Sequence, residues 1–476
     1  MNNIKKNNKS FLSSSIIYIL GSFLTSGLAF ITTPIFTRLL TPEDYGITSV
    51  FATWVSVFTI FIGVQSASTI ATAHIHFKKE EFNQYLSSIL FLSTMSFLII
   101  GSICFIFKYQ IASLLNLSIG LLVILILQSF LGYVQQFYNN YLIQTKKPLQ
   151  SLILSVSYSF LTVGLSLFLI SHMDTDRYYG KILGNAIIAC LFGLCLYFVI
   201  MAKGKKLISL KYWKYCLPLA LPIILHLLSG LVLGQSDRVM LQSMSGNYEA
   251  GIYSFAYTIA SVLSLLWSAT NNAWVPWYYE NTKAQNTKSI NQLAKKYILL
   301  FSIGTCAIML MTPEVMKILG PQEYWSAGRV IAMVVFGIYF NFLYSFPTNY
   351  EFYTQNTRWI AVGSICAAAV NVGLNLLLIP QFGGMGAAVA TLISYFALFV
   401  FHNIIATRLG GFNISKRLYL YGIGIVSVGF IVINLTYDFP ILRWIIILLL
   451  GFGLVYFNRK VIKEQISRYL KRDKNN

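Results

Sequence analysis

Carboxylates are scarce in this chain, which carries 15 Asp and Glu against 35 Lys and Arg in 476 residues and a formal charge of +20. From Glu43 and Asp44 through Asp237 and Glu351 to Asp438 and Asp473, they fall in connecting segments or at the ends of apolar runs. A site for organic cations, or a relay of protons through buried acids, would want at least one carboxylate deep in such a run. Paired cysteines are absent too. Cys104, Cys190, Cys195, Cys216, Cys306 and Cys366 show no Cys-x-x-Cys spacing and no nearby His cluster, so they read as buried thiols with no zinc, disulfide or redox role. No metal site and no catalytic residue is expected. A soluble domain is also missing, because the longest polar stretch, around Glu280 to Gln292, is too short to bury a core. The apolar run after Lys5 to Lys9 is too long for a leader and lacks a small-residue cleavage pattern, so it reads as a retained helix.

Hydrophobic residues make up 56% of the chain and charged ones 11%. Fourteen apolar runs lie at roughly 11–36, 46–68, 86–107, 118–143, 150–171, 180–202, 215–236, 251–273, 294–313, 328–350, 357–379, 385–407, 417–437 and 440–458. Each is close to the ~20 residues that span a hydrocarbon core. With the N-terminus in the cytoplasm, the inner connections and both termini hold 27 Lys and Arg and the outer connections 8. That positive-inside bias supports an all-α membrane protein of fourteen transmembrane helices with both termini cytoplasmic. It also accounts for the net charge through orientation and anionic membrane lipids, leaving nucleic acid no part.

Three patches recur along the chain at nearly one spacing. Gly46-Ile47-Thr48-Ser49 matches Gly251-Ile252-Tyr253-Ser254 at a shift of 205, and Gln144-Thr145-Lys146-Lys147 matches Gln355-Asn356-Thr357-Arg358 at 211. Val163 to Ile170 matches Val372 to Ile379 at 209. The repeat pairs runs 1–6 with runs 7–12 in one orientation, which implies two six-helix lobes related by a pseudo-twofold axis along the membrane normal, with a substrate path between them. The expected divisions are 1–205, 206–412, and 413–476 for the last two helices and a basic tail.

Polar residues inside the runs are the candidates for that path. Arg38 and Arg238, with Asp237 beside the latter, take equivalent outer positions in the two lobes and could hold a phosphate or form an outer gate; snorkelling to headgroups explains them equally well. Gln65, Ser66, Ser68, Thr69, Thr72, His74 and His76 form a polar run at the inner end of run 2, and Thr270, Asn271 and Asn272 before Trp274 are its counterparts in run 8. An interfacial belt is the plainer account of both. His226 lies deep in run 7, and Gln135, Gln136, Asn139 and Asn140 lie in run 4, where interhelical hydrogen bonds explain them as well as substrate does. Pro34 in run 1, and Pro218 and Pro222 in run 7, are expected to break equivalent helices and serve as hinges.

Arg38-Leu39-Leu40-Thr41-Pro42-Glu43-Asp44-Tyr45-Gly46, Asp237-Arg238 followed by Ala250 to Ser254, and Pro380 to Thr391 together resemble passages of one family. It is the polysaccharide-transport branch of the multidrug/oligosaccharidyl-lipid/polysaccharide exporter superfamily, the Wzx-type repeat-unit flippases of capsule, exopolysaccharide and O-antigen. The resemblance covers most of the chain, including the plan of six, six and two helices. It implies transfer of an undecaprenyl-diphosphate-linked oligosaccharide from the inner to the outer leaflet of the bacterial cytoplasmic membrane, by alternating access. A polysaccharide polymerase and assembly proteins are the partners it suggests. No cofactor is implied, and coupling to protons or sodium is left open. Members often carry an Arg near the inner end of helix 2, where this chain has His74 and His76, which leaves open whether a headgroup contact there is conditional on pH. The alternatives are a drug or cation antiporter of the same superfamily, disfavoured by the missing deep carboxylates, and a multi-pass polymerase, disfavoured by the short outer loops.

Overall fold

The computed structural model describes residues 30–453 continuously, together with 21, 24, 25, 27 and 28. Helix is the only regular structure among them, as expected where a bilayer offers the backbone no water to bond. Among the described residues, eleven helices are long and apolar enough to cross a membrane. One of them, Arg358–Arg408, is two helices merged across Gly383, whose φ of 52° and ψ of −133° are non-helical. Separating these and adding the helix at 30–39 and the shorter Pro440–Gly453 accounts for all fourteen apolar runs. The all-α membrane fold read from the sequence is borne out. The start of the first run and the tail from Arg459 lie outside the described residues.

In chain order the helices are α1 (30–39), α2 (Pro42–Gly63), α3 (Ile70–His76), α4 (Lys79–Ile106), α5 (Lys108–Leu114), α6 (Ile119–Gln144), α7 (Pro148–Ser171) and α8 (Tyr178–Gly204). They continue as α9 (Leu210–Ser245), α10 (Asn247–Lys283), α11 (Thr287–Leu319), α12 (Gly328–Tyr353), α13 (Arg358–Arg408), α14 (Lys416–Thr436) and α15 (Pro440–Gly453). The polar stretch expected around Glu280 to Gln292 is mostly helical, since α10 and α11 run on past their apolar windows.

Local chemistry sets several of these boundaries. Thr41 opens α2 with a capping box: its Oγ1 accepts the Asp44 N–H at 3.2 Å, Asp44 accepts the Thr41 N–H at 3.3 Å, and Pro42 fills the first turn. The expected proline breaks are absent. Helix α9 passes uninterrupted through Pro218 and Pro222, and Pro34 lies inside α1. Each proline forfeits only the ladder bond of its own missing N–H, and a bundle can satisfy the carbonyl four residues back that this frees. The real interruptions are elsewhere. In α13 the Gly384 N–H that starts the second half donates to Glu249 Oε2 at 3.0 Å. After α2, Val64 and Gln65 are both left-handed (φ 50° and 48°), and a short 3₁₀ turn, Ser66–Thr69, leads into α3.

The contacts divide the chain into two units. The first comprises the described residues up to Phe255, with Leu319–Tyr324 and Ala361–Ala390. Its core joins Ile62, Tyr85, Ile89, Tyr133, Phe137 and Cys216, contributed by α2, α4, α6 and α9. The second comprises Ala256–Ile318, Trp325–Ile360 and the described residues from Thr391. Within it Phe301 stacks on Phe342 at 4.1 Å, the Ser302 and Tyr339 hydroxyls meet at 2.7 Å, and Arg443 pairs with Glu314. The exterior is apolar: Phe105, Phe160, Phe198, Leu435 and Ile441 are all more than half exposed, as side chains that face lipid would be. Cys195 and Cys366 are exposed as well, so the expectation of six buried thiols holds only in part.

Candidate functional site

The interruption after α2 shapes the first unit's interior. Its loosened backbone is satisfied by side chains of α4 and α6: the Tyr133 hydroxyl accepts the Ala67 N–H at 3.0 Å and meets Ser66 Oγ at 2.6 Å, and Ser93 donates to the Gly63 carbonyl at 3.1 Å. Irregular backbone at membrane depth survives only where protein or a cavity supplies such partners. Here it turns Gln65 into a chamber of about 700 Å³ among α2, α6, α7 and α9. Five amides line that chamber, those of Gln65, Gln128, Gln135, Gln136 and Gln235, with Ser56, Thr59, Tyr158 and His226. Its lining has no carboxylate, Lys or Arg. The buried Gln128 Oε1 has no hydrogen-bond partner among the described residues. An uncharged wall of donors and acceptors of this kind suits a polyhydroxylated ligand better than an ion.

The structure brings two of the sequence candidates, Gln65 and His226, into this chamber, with the Gln135 and Gln136 flagged beside them. The others lie elsewhere. His74 and His76 are exposed on α3, with His74 tilted against Phe82 (4.9 Å) and His76 edge-on to Tyr215 (5.9 Å). Arg38 is exposed at the end of α1 and Arg238 is half-buried on α9. Asp237 is wholly buried: Tyr253 donates to its Oδ2 and Asn375 Nδ2 to its Oδ1, each at 2.6 Å. In the second unit Asn271 accepts from Asn349 at 3.1 Å, its neighbour Asn272 is exposed, and Trp274 is buried and stacked on Tyr278. Of the carboxylates read as loop or helix-end groups, Glu351 does lie in the last turn of its helix, yet both it and Asp237 are 0% exposed. Buried donors take the place of water at both.

Sequence reasoning missed Gln128, Gln235 and Tyr158 as chamber residues. Gln128 lies apart from the other amides of its helix and Gln235 stands next to Ser236 and Asp237 at the end of an apolar run, and only the fold shows that they converge. It also missed an apolar groove of about 450 Å³ on the second unit, formed by Cys306 and Leu310 of α11, Tyr421, Ile425 and Val428 of α14, and Ile446 of α15.

Residues 11–282, more than half of the chain, match the polysaccharide biosynthesis protein family. The chain belongs to that family. Every chamber residue falls inside the matched span. Among the family member's relatives, a protein of the Lsg locus of Haemophilus influenzae is 26% identical over 405 residues, covering 80% of this chain and 96% of its own length. A membrane protein of the same organism without assigned function is 23% identical over 372 residues, with 76% and 89% covered. Among solved structures, the lipid II flippase MurJ in an inward closed conformation superposes with a TM-score of 0.72 at 16% identity, over 94% of this chain and 100% of that one. An inward-facing multidrug resistance MATE family transporter of the MOP superfamily gives 0.61 at 14%, over 81% and 95%. At such identities the likeness is one of fold. The family is one of polysaccharide biosynthesis and the fold is shared with a flippase and a transporter, and the resemblance to the polysaccharide-transport branch is borne out at that level.

Proposed function

We propose that this chain flips undecaprenyl-diphosphate-linked oligosaccharide repeat units from the inner to the outer leaflet of the bacterial cytoplasmic membrane, serving capsule, exopolysaccharide or O-antigen assembly. The observation that carries the reading is the amide-lined chamber among the apolar helices, whose Gln, Ser, Thr and Tyr groups can exchange hydrogen bonds with sugar hydroxyls as water does in solution. The apolar groove along α11, α14 and α15 suits the polyprenyl chain, which would otherwise have to follow its headgroup through polar surroundings. Arg38 and Arg238 serve the diphosphate, with matched roles in lobes 1–205 and 206–412. Alternating access by these lobes, with both termini cytoplasmic, moves the headgroup across, and a polymerase and assembly proteins then use the product.

The test is deletion of the gene in its host, followed by localisation of lipid-linked repeat units with a membrane-impermeant glycosidase or lectin. Accumulation of units protected from the outer-face reagent is expected. Accumulation of unpolymerised units on the outer face would replace this reading with that of a polymerase.

A further inference from the structure

Two ionisable side chains meet inside the second unit, away from the chamber. Glu351 lies in the last turn of α12 and His402 in the second half of α13, and both side chains are 0% exposed. His402 Nδ1 and Glu351 Oε1 are 2.7 Å apart. Their other polar atoms, Oε2 and Nε2, have no hydrogen-bond partner among the described residues. Tyr344 and Phe401 pack their rings 5.1 Å from the imidazole, so the surroundings are largely aromatic.

The groups on neighbouring elements leave the pair to itself. On α12 the titratable neighbours are Tyr344, Tyr350 and Tyr353; α13 carries Tyr395 two turns before His402, with Arg358 and Arg408 exposed at its ends. Helix α10, joined to α12 through Asn271–Asn349 and Tyr279–Tyr353, brings Tyr279 and the exposed Glu280. Helix α14 brings Tyr419, with Lys416 and Arg417 exposed in its first turn. Among the described residues neither Glu351 nor His402 makes a second ion pair.

In so dry a setting the three charge states of the pair differ greatly in energy. Carboxylate with neutral imidazole carries −1, one added proton makes the pair neutral, and a second gives +1; burial disfavours both charged states. At 2.7 Å the facing Nδ1 and Oε1 atoms are placed to share one proton between them. Exchange of that proton requires water to reach Oε2 or Nε2, which means parting α12 from the second half of α13. A conformation that opens this contact binds protons differently from one that closes it, so proton activity biases the equilibrium between them.

We propose that Glu351 and His402 form a proton-binding site whose loading and release couple transport by this chain to a proton gradient. The purpose of the site rests on the transporter reading above; proton binding itself does not.

Infrared difference spectroscopy of the full-length protein in lipid nanodiscs tests the binding. The expected result is a pH-dependent carbonyl band from a buried protonated carboxyl, lost in Glu351→Gln and shifted in midpoint in His402→Gln. Identical pH-difference spectra for wild type and Glu351→Gln would leave the pair a static staple and overturn the proposal. Should Glu351→Gln fail to fold, the exchanged variant Glu351→His/His402→Glu carries the test: it keeps the band at a new midpoint, and an unmoved band would assign it to another carboxyl. Proteoliposomes loaded with undecaprenyl-diphosphate-linked N-acetylglucosamine test the coupling. Wild type is expected to translocate this probe several-fold faster under an imposed pH gradient, and Glu351→Gln to lose that dependence. Gradient-independent translocation by wild type overturns the coupling, whereas no translocation at all counts against the transporter reading and leaves the infrared result to judge the site.

Discussion

Gly46 of α2 and Gly251 of α10 lie against each other's helices. A Cβ on Gly46 would fall 2.1 Å from the Asn247 carbonyl oxygen and 2.9 Å from the Gly251 nitrogen, and one on Gly251 would fall 1.8 Å from the Pro42 carbonyl oxygen. The contact is reciprocal, and the two glycines head the tetrapeptides that repeat along the sequence. What recurs there is a place where two helix starts come together closer than any side chain allows.

Gly46→Ala and Gly251→Ala should each destabilise the first unit by about 1–3 kcal/mol, the usual cost of overpacking. Because both act on one contact, the double variant should fall short of the sum. Gly164→Ala, with open space around its position, should be neutral or slightly stabilising. Thermal melting of the purified proteins in one detergent compares all four.

Chamber variants should separate transport from stability. No atom lies within 4 Å of a Cβ built on Gly132, so Gly132→Trp should fit sterically while filling the chamber and abolishing export. Gln65→Ala removes one amide and should slow export by up to about tenfold, the equivalent of about 0.5–1.5 kcal/mol for one hydrogen bond. Counting protected lipid-linked units alongside the melting temperature checks both.

Around Asp237 the loss should be large and shared. Asp237→Ala takes an acceptor from the Tyr253 hydroxyl and one of two from the Asn375 amide, which still donates to Asn371 at 3.1 Å, at about 1–3 kcal/mol for each buried bond lost. Tyr253→Phe alone should cost about 1 kcal/mol. A double-mutant cycle on unfolding should return a coupling of about 0.5–3 kcal/mol, and additivity would show that the contact contributes nothing.

Glu249 caps the second half of α13 across the bend at Gly383. Glu249→Ala should cost about 1 kcal/mol through the lost cap, and Glu249→Gln less, since an amide oxygen still accepts from Gly384. Gly383→Ala should cost about 1–3 kcal/mol, because no L-residue sits comfortably at φ 52° and ψ −133°. Melting measurements on the three variants check that order.

The parts of the fold written in neighbouring residues were legible. Thr41-Pro42-Glu43-Asp44 is a helix start by composition alone, and the apolar runs marked the spans in register with the helices found. Features built from distant residues were not. Nothing around Val64 and Gln65 announces a break, because the groups that stabilise it, Tyr133 and Ser93, lie 66 and 30 residues from their partners. Pro218 and Pro222 announced a break that the helix does not make, since tertiary surroundings outweigh the local rule. Glu351 and His402 are 51 positions apart, and each alone looks like an ordinary residue of its helix. The chamber was half visible for the same reason: Gln65 and His226 stood out in polar or proline-marked surroundings, while Gln128 lies in an apolar stretch and Gln235 was overshadowed by Asp237 and Arg238 beside it.

The makeup of the chamber wall also determines what it can tell apart. Amides and hydroxyls act at bonding distance and in fixed directions, and dissolved electrolyte does not screen them as it screens separated charges. Two saccharides of equal charge and size then differ only in where their hydroxyls point. An epimer that turns one hydroxyl aside gives up a bond and leaves a wall amide unanswered, so stereochemistry is the property this surface reads.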